Sequence, residues 1–247
     1  MKAPWFYAET LGSVGDVVEL DPDEARHAGK AARLRPGDRA VLSDGQGRAA
    51  WLVIEESDKR RVAGRIEKTA HWPRVRPALH LASALPKGDR LATLISMATQ
   101  IGIESFTPLQ CERSVVSAPN SIPDRWQRVV REAAKQSQQP WWPELRESQA
   151  PAQYAEQMSG AAQVLQLDPQ GERFEPSAEK ERPEALALLV GPEGGFTENE
   201  TQALQSLGTH TWALATGILR IETAAVVGLA SLALIREPRE PEIESPD

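Results

Sequence analysis

A short apolar run, Leu188-Leu189-Val190, enters a tight loop, Gly191-Pro192-Glu193-Gly194-Gly195-Phe196, and Thr197 opens the next helix. Glycines lack a Cβ, so a ligand can approach their main chain closely. In open α/β sheets ligands bind beyond the carboxyl ends of strands, where such loops lie. The loop carries one acid, Glu193, and no lysine, and it matches neither G-x-G-x-x-G nor G-x-x-x-x-G-K-S/T. It reads as a cradle for a ligand with little negative charge. The plainer alternative is a strand-to-helix turn whose glycines only let the chain reverse. A second strand–loop–helix stretch, Leu214-Ala215-Thr216-Gly217-Ile218-Leu219-Arg220-Ile221-Glu222-Thr223, places three polar side chains before a nearly all-apolar helix. Polar groups at a core edge need a partner or a task. The alternative is that Glu222 or Thr223 caps the helix and Arg220 pairs a carboxylate. Thr197 and Glu200 have the spacing of a capping box.

The elements around these loops follow from periodicity. Residues 1–72 alternate short apolar runs with the turns Pro36-Gly37-Asp38 and Asp44-Gly45-Gln46-Gly47, which predicts a small β-barrel. One helix is expected from Asp21 to Ala32, with Asp21 as N-cap and Pro22 at its first position. The prolines of His71–Pro77 mark a boundary. From residue 73 to 236 strands alternate with helices: Ala78–Leu85, Ser105–Leu109, Ala161–Leu167, Ala185–Val190 and His210–Leu214 as strands, Gly88–Ile101, Ile122–Gln138, Thr197–Leu207 and Glu222–Ile235 as helices. That order predicts an α/β domain with a mainly parallel sheet. The tail from residue 237 to 247, proline-rich and acidic, reads as a disordered end.

Composition narrows the class. The chain has 247 residues, with 28 Lys+Arg against 35 Asp+Glu, a net charge of −7. This argues against coating nucleic acid through bulk charge. A single cysteine, Cys111, precludes an internal disulfide and a multi-cysteine metal site. The N-terminal stretch shows no apolar signal region, and the longest near-apolar run, Ala224–Ile235, is too short for a bilayer. The expectation is a cytoplasmic protein with no membrane association and no metal.

The two C-terminal segments together resemble the SPOUT class of RNA methyltransferases, and more narrowly the small-subunit ribosomal RNA methyltransferase E family. Gly191–Phe196 with Glu200 is similar to one signature of that family, and Ile218-Leu219-Arg220-Ile221-Glu222-Thr223-Ala224 to its second. Arg33–Asp38, Lys87–Arg90, Glu112-Arg113, Glu132–Ala134 and Gln136-Ser137 extend the likeness over nearly the whole chain. Trp5, Gln139 and Gly217 stand where the family usually has arginine, and Ala215 where it has glycine.

The resemblance implies a PUA-like β-barrel followed by an α/β domain with a C-terminal trefoil knot. It implies S-adenosylmethionine as cofactor, a homodimer, and methylation of N3 of one uridine in 16S ribosomal RNA; a divergent member with another RNA target or weakened catalysis is the alternative. The cofactor would lie on Val190, Gly191, Pro192, Glu193, Gly194 and Gly195, and on Leu214, Ala215, Gly217, Ile218 and Leu219, with Leu167 and Thr223 beside them. Uracil N3 must lose its proton before it attacks. Arg220 would stabilise charge developing on the base carbonyls, and Glu222 would accept the proton or orient Arg220. RNA would be held by Arg33, Arg35 and Arg113 and by Arg125, Arg128, Arg131 and Lys135, whose spacings of 3, 3 and 4 place all four on one helix face. The rival readings are an RNA-binding module without catalysis and an unrelated nicotinamide enzyme, the latter disfavoured by the missing G-x-G-x-x-G.

Overall fold

The computed structural model describes residues 3–29, 33–58, 61–173, 183–215, 217–237 and 240–245. In chain order the first elements are β1 (Trp5–Tyr7), β2 (Val17–Glu19), α1 (Pro22–His27), β3 (Arg39–Ser43), β4 (Arg48–Ser57), β5 (Val62–His71), β6 (Ala78–Ser83), α2 (Arg90–Ile101) and β7 (Ser105–Pro108). They are followed by α3 (Asp124–Ser137), β8 (Glu144–Leu145), α4 (Pro151–Met158), β9 (Gln163–Arg173), β10 (Ala185–Val190), α5 (Glu198–Ser206), β11 (His210–Ala213), α6 (Ile221–Ala233) and β12 (Glu242–Glu244). The chain divides into two compact units, one of Met1–Arg74, Arg131–Trp142 and Pro238–Asp247, the other of Val75–Val130 and Pro143–Glu237.

The first unit is built on a mixed sheet, β1-β3-β4-β5-β12, with β2 also on β5. One face buries Phe6, Leu42, Leu52, Ile54 and Ile66. Asp21 starts α1 as its N-cap, its Oδ1 accepting from the amides of Asp23 and Glu24, both at 3.0 Å. The expected helix end at residues 30–32 lies outside the described residues, as do Lys59 and Arg60. Two features differ from the sequence expectation. The segment Arg131–Trp142 belongs to this unit, because the indoles of Trp141 and Trp142 lie against Gly47 and Gly45, where a Cβ would collide with either ring. The acidic tail is not wholly without structure: Glu242–Glu244 pairs antiparallel with Thr69–His71 of β5. Its side chains stay exposed while its main chain satisfies an otherwise open strand edge, so charge content alone misjudged it.

The second unit has six strands in the order β11-β9-β10-β6-β7-β8, with every pairing parallel. Both central strands, β6 and β10, are buried along their whole length, as expected for strands covered on both faces. Helix α6 packs on β10 and β6, α2 packs on α6, and α4 touches β9 and α5. Gly228 allows α6 to settle closely: a Cβ there would lie 2.8 Å from Leu188 Cδ2 and 3.2 Å from Leu167 Cδ1.

His80 and Ser105 face each other across β6 and β7, with Nδ1 and Oγ 2.8 Å apart in the buried sheet. Burial, with the Arg146 charge adding to it, holds His80 below its ordinary value of 6.5. The unfolded chain therefore takes up this proton at a higher pH than the folded one. The resulting stability is complete above pH 6.5 and is lost as pH falls through the lowered native value. The urea midpoint of the protein is expected to drop more between pH 7.5 and about 5 than that of His80→Asn, which keeps a polar partner for Ser105 but cannot titrate. Parallel pH profiles for the two proteins would rule this out.

Candidate functional site

The site grows from the carboxyl ends of β10 and β11, beside the middle of β9. At Val190 the chain leaves the buried strand, and the amide of Gly195 donates to the Pro192 carbonyl at 2.8 Å, closing a turn. Gly195 has φ of +69°, a left-handed conformation that suits glycine. A Cβ on Gly191 would press on the Phe196 ring at 3.0 Å. The capping box is present: Glu200 donates its amide to Thr197 Oγ1 at 3.2 Å, and the Thr197 amide donates to Glu200 Oε2 at 2.8 Å.

This loop walls a cavity of about 740 Å³, together with Leu167–Gln170 in the middle of β9 and residues between β11 and α6. Twelve of the thirteen cofactor residues expected from sequence line it: Leu167, Val190, Gly191, Pro192, Glu193, Gly194, Gly195, Leu214, Ala215, Gly217, Ile218 and Leu219. Thr223 does not, and it does not cap α6 either, whose N-cap is Arg220 without a side-chain bond. The helix turns about 100° per residue. Ile221 and Ala224 therefore share the face that lines the cavity, while Thr223 is turned far from it. Sequence reasoning missed Asp168, Phe196, Glu198 and Trp212 as lining residues. Asp168, directly after Leu167 at the end of a predicted strand, was within reach of the strand-end rule; Trp212 was not.

Among the described residues the lining side chains carry three carboxylates, from Asp168, Glu193 and Glu198, against one guanidinium, that of Arg113. Glycine main chain, the apolar Leu167, Val190, Leu214 and Leu219, and the rings of Phe196 and Trp212 form part of the remaining wall, beside the polar Gln170, Thr201 and Gln202. Such a cavity disfavours a polyphosphate and suits a flat heterocycle with a net positive charge nearby.

Arg220 is exposed and sits between Leu219 and Ile221, both of which line the cavity. Glu222 is mostly buried, 15% exposed at its side chain, and Arg90 Nη1 lies 3.5 Å from its Oε1. Its Oε2 is buried without a hydrogen-bond partner among the described residues. Arg90, the first residue of α2, was not expected here; nothing in local periodicity links it to a residue 132 positions away.

The expected RNA contacts separate. Arg33, Arg35, Arg125 and Arg128 are exposed. Arg131 lies over the Tyr7 ring at 4.5 Å. Lys135 is withdrawn from solvent, 8% exposed at its side chain, and paired with Glu24 at 2.9 Å and Glu132 at 2.8 Å. Steps of 3, 3 and 4 residues keep the four within about 120° around α3, so they share one side of the helix, but Arg131 and Lys135 on it are already engaged by Tyr7, Glu24 and Glu132. Arg113 is also engaged: its Nη1 donates to the carbonyls of Gly194 at 2.8 Å and Phe196 at 3.3 Å. Among the described residues, no group of three or more His, Cys, Asp or Glu side chains is placed to hold a metal ion, and no helix is long and apolar enough to cross a membrane. Cys111 is buried, and that burial pushes its thiol up to about 12, so it is an inert apolar side chain.

Comparison with known proteins agrees with this architecture. A profile described as an RNA methyltransferase domain matches residues 74–233, and one described as an RNA methyltransferase PUA domain matches residues 20–67. The ribosomal RNA small subunit methyltransferase E of Mycobacterium bovis is 33% identical over 243 residues, covering 95% of this chain and 93% of that protein. That of Bacillus subtilis is 29% identical over 222 residues, covering 85% and 87%. The crystal structure of a ribosomal RNA small subunit methyltransferase E from Neisseria gonorrhoeae bound to S-adenosyl methionine superposes with a TM-score of 0.83 at 26% identity, covering 94% of this chain and 98% of that one. Strand-end loops, an all-parallel sheet and end-to-end sequence similarity thus lead to one assignment: the chain belongs to the ribosomal RNA small subunit methyltransferase E family.

Proposed function

We propose that this protein transfers a methyl group from S-adenosylmethionine to N3 of a uridine in small-subunit ribosomal RNA. The observation that carries this reading is the cavity beyond the ends of β10 and β11 and beside Leu167–Gln170 of β9: partly walled by glycine main chain and apolar side chains, and lined among the described residues by three carboxylates against one guanidinium. S-adenosylmethionine fits those walls by chemistry, being an aromatic base and ribose joined to a cationic sulfonium, with no phosphate. When bound, it supplies an electrophilic methyl group.

The chain's own residues do the rest. Main-chain groups of Gly191–Gly195 and of the stretch from Leu214 to Leu219 hold the cofactor in place, and Leu167, Leu214 and Leu219 exclude water from it. Most of the acceleration comes from holding two reactants in line. Arg220, exposed beside the cavity, stabilises the negative charge that grows on the uracil carbonyls as N3 loses its proton. Glu222 accepts that proton or orients Arg220, with Arg90 fixing its carboxylate. Arg33, Arg35, Arg125, Arg128 and Arg131 contact RNA phosphates, with residues 1–72 as the RNA-binding domain and 73–236 as the methyltransferase domain. A C-terminal trefoil knot, a homodimer and a cytoplasmic location belong to the same reading.

The test is transfer of labelled methyl to small-subunit ribosomal RNA, as naked RNA and as assembled particle, followed by nucleoside mass mapping. N3-methyluridine at one position is the expected product. Label on another nucleoside would move the target, and no label on either substrate would end the proposal.

A further inference from the structure

Gly194 and Gly195 make the cofactor loop open to a ligand and also intrinsically loose, because glycine loses the most backbone entropy when ordered. The loop is nevertheless pinned from outside. The turn after β7 is closed on itself by Ser114, whose amide donates to the Cys111 carbonyl at 3.0 Å and whose Oγ accepts from the Cys111 amide at 3.2 Å. From this turn Arg113 reaches the carbonyls of Gly194 and Phe196. The Glu112 amide donates to Glu200 Oε1 at 2.9 Å, while Glu200 Oε2 accepts from the Thr197 amide at 2.8 Å. One carboxylate thus caps α5 and ties it to a turn 88 residues away.

Peptide planarity gives these contacts their leverage. In a trans peptide the carbonyl and the following N–H point in opposite directions. The Gly194 carbonyl turns to Arg113, and the Gly195 N–H on the same plane meets the Pro192 carbonyl at 2.8 Å. The Phe196 carbonyl also turns to Arg113, and the Thr197 N–H on that plane meets Glu200. Two peptide planes flanking Gly195–Phe196 are therefore held at both ends. A loop fixed in this way does not have to be ordered when a ligand arrives, which raises affinity without adding a contact.

We infer that Arg113 and Glu200 are positioning residues that set S-adenosylmethionine affinity by clasping the Gly191–Phe196 loop in its binding conformation. This rests on the reading of the cavity as the cofactor site. It replaces the expected role of Arg113 in RNA contact: the guanidinium is committed to the loop carbonyls, and neither residue takes part in the methyl-transfer chemistry.

The test uses the full chain with Arg113→Gln, Arg113→Lys and Glu200→Gln. Hydrogen exchange of loop peptides is followed without ligand, S-adenosylmethionine binding by calorimetry, and kcat and KM by methyl transfer to ribosomal RNA. Arg113→Gln is expected to speed loop exchange and to raise both the dissociation constant and the cofactor KM about tenfold, with kcat changed less than about twofold. Arg113→Lys recovers part of the loss, since a single ammonium cannot reproduce the fork geometry at two carbonyls. Glu200→Gln shows a smaller change of the same kind, because its Nε2 donates and cannot replace a carboxylate oxygen that accepts from the Thr197 or the Glu112 amide. Unchanged loop exchange and affinity beside a wild type that binds cofactor would overturn the inference alone, as would a fall in kcat at constant KM. A wild type that binds no S-adenosylmethionine would overturn the cavity reading and the affinity role together.

Discussion

Arg220→Ala is expected to lower methyl transfer about 10²–10³-fold while leaving S-adenosylmethionine affinity within about twofold. Leu219 and Ile221 line the cavity on either side of Arg220, but the Arg220 side chain is exposed and not part of the wall. It makes no capping bond to α6, so its removal costs the helix little. A cation in that place acts on charge that exists only while the base is being deprotonated, which is the condition for lowering kcat without altering ground-state cofactor binding. Arg220→Lys should restore part of the rate, as a point charge without the planar fork. Calorimetry with S-adenosylmethionine and a labelled-methyl assay on the same preparation decide it. Wild-type turnover in the alanine variant would remove Arg220 from the chemistry, and a parallel loss of affinity would make it part of the cofactor wall instead.

Lys135→Ala is expected to destabilise the first unit by about 3 kcal/mol. Lys135 and Glu24 are 8% and 6% exposed at their side chains and 2.9 Å apart. Burial alone would lower the Lys135 pKa, but the hydrogen bonds and charges of Glu132 and Glu24 outweigh it and hold the group above the ordinary lysine value. A raised lysine stabilises the fold throughout the neutral range and loses that effect only as pH rises through its native value. Removing the ammonium leaves the Glu24 carboxylate buried without its partner, the costly way to break such a pair. Replacing both members, as in Glu24→Leu with Lys135→Met, should recover most of the loss. Urea unfolding followed by tryptophan emission is a suitable readout, since Trp5, Trp51, Trp72, Trp141 and Trp142 all belong to this unit. Lys135→Ala should not change the salt dependence of RNA binding, whereas Arg125→Ala should reduce it. An unshifted urea midpoint for Lys135→Ala would show that the pair is dispensable.

Much of this protein was legible in one dimension. The unbroken apolar run Ala185–Val190 and the mostly apolar Ala78–Ser83, which admits only His80 and Ser83, marked the two central strands, because a strand buried on both faces leaves little room for polar alternation. Asp21 and Thr197 announced their helices because capping is settled within three or four residues. Twelve of thirteen expected cofactor residues line the cavity, because glycine loops at strand ends are local features that sequence records directly.

What escaped was long-range or rotational. Thr223 fell on the wrong side of α6, and Lys135 turned out to be an ion-pair partner of Glu24, 111 residues earlier. Arg113, though exposed, is tied to the carbonyls of Gly194 and Phe196, 81 and 83 residues away. The acidic tail gained a strand because β5 had an edge to pair. Residue type and spacing decide which groups are available and what each can do locally. Only the packed chain decides which of them meet, since a charged side chain in an exposed face and one in a buried pair have the same one-letter code.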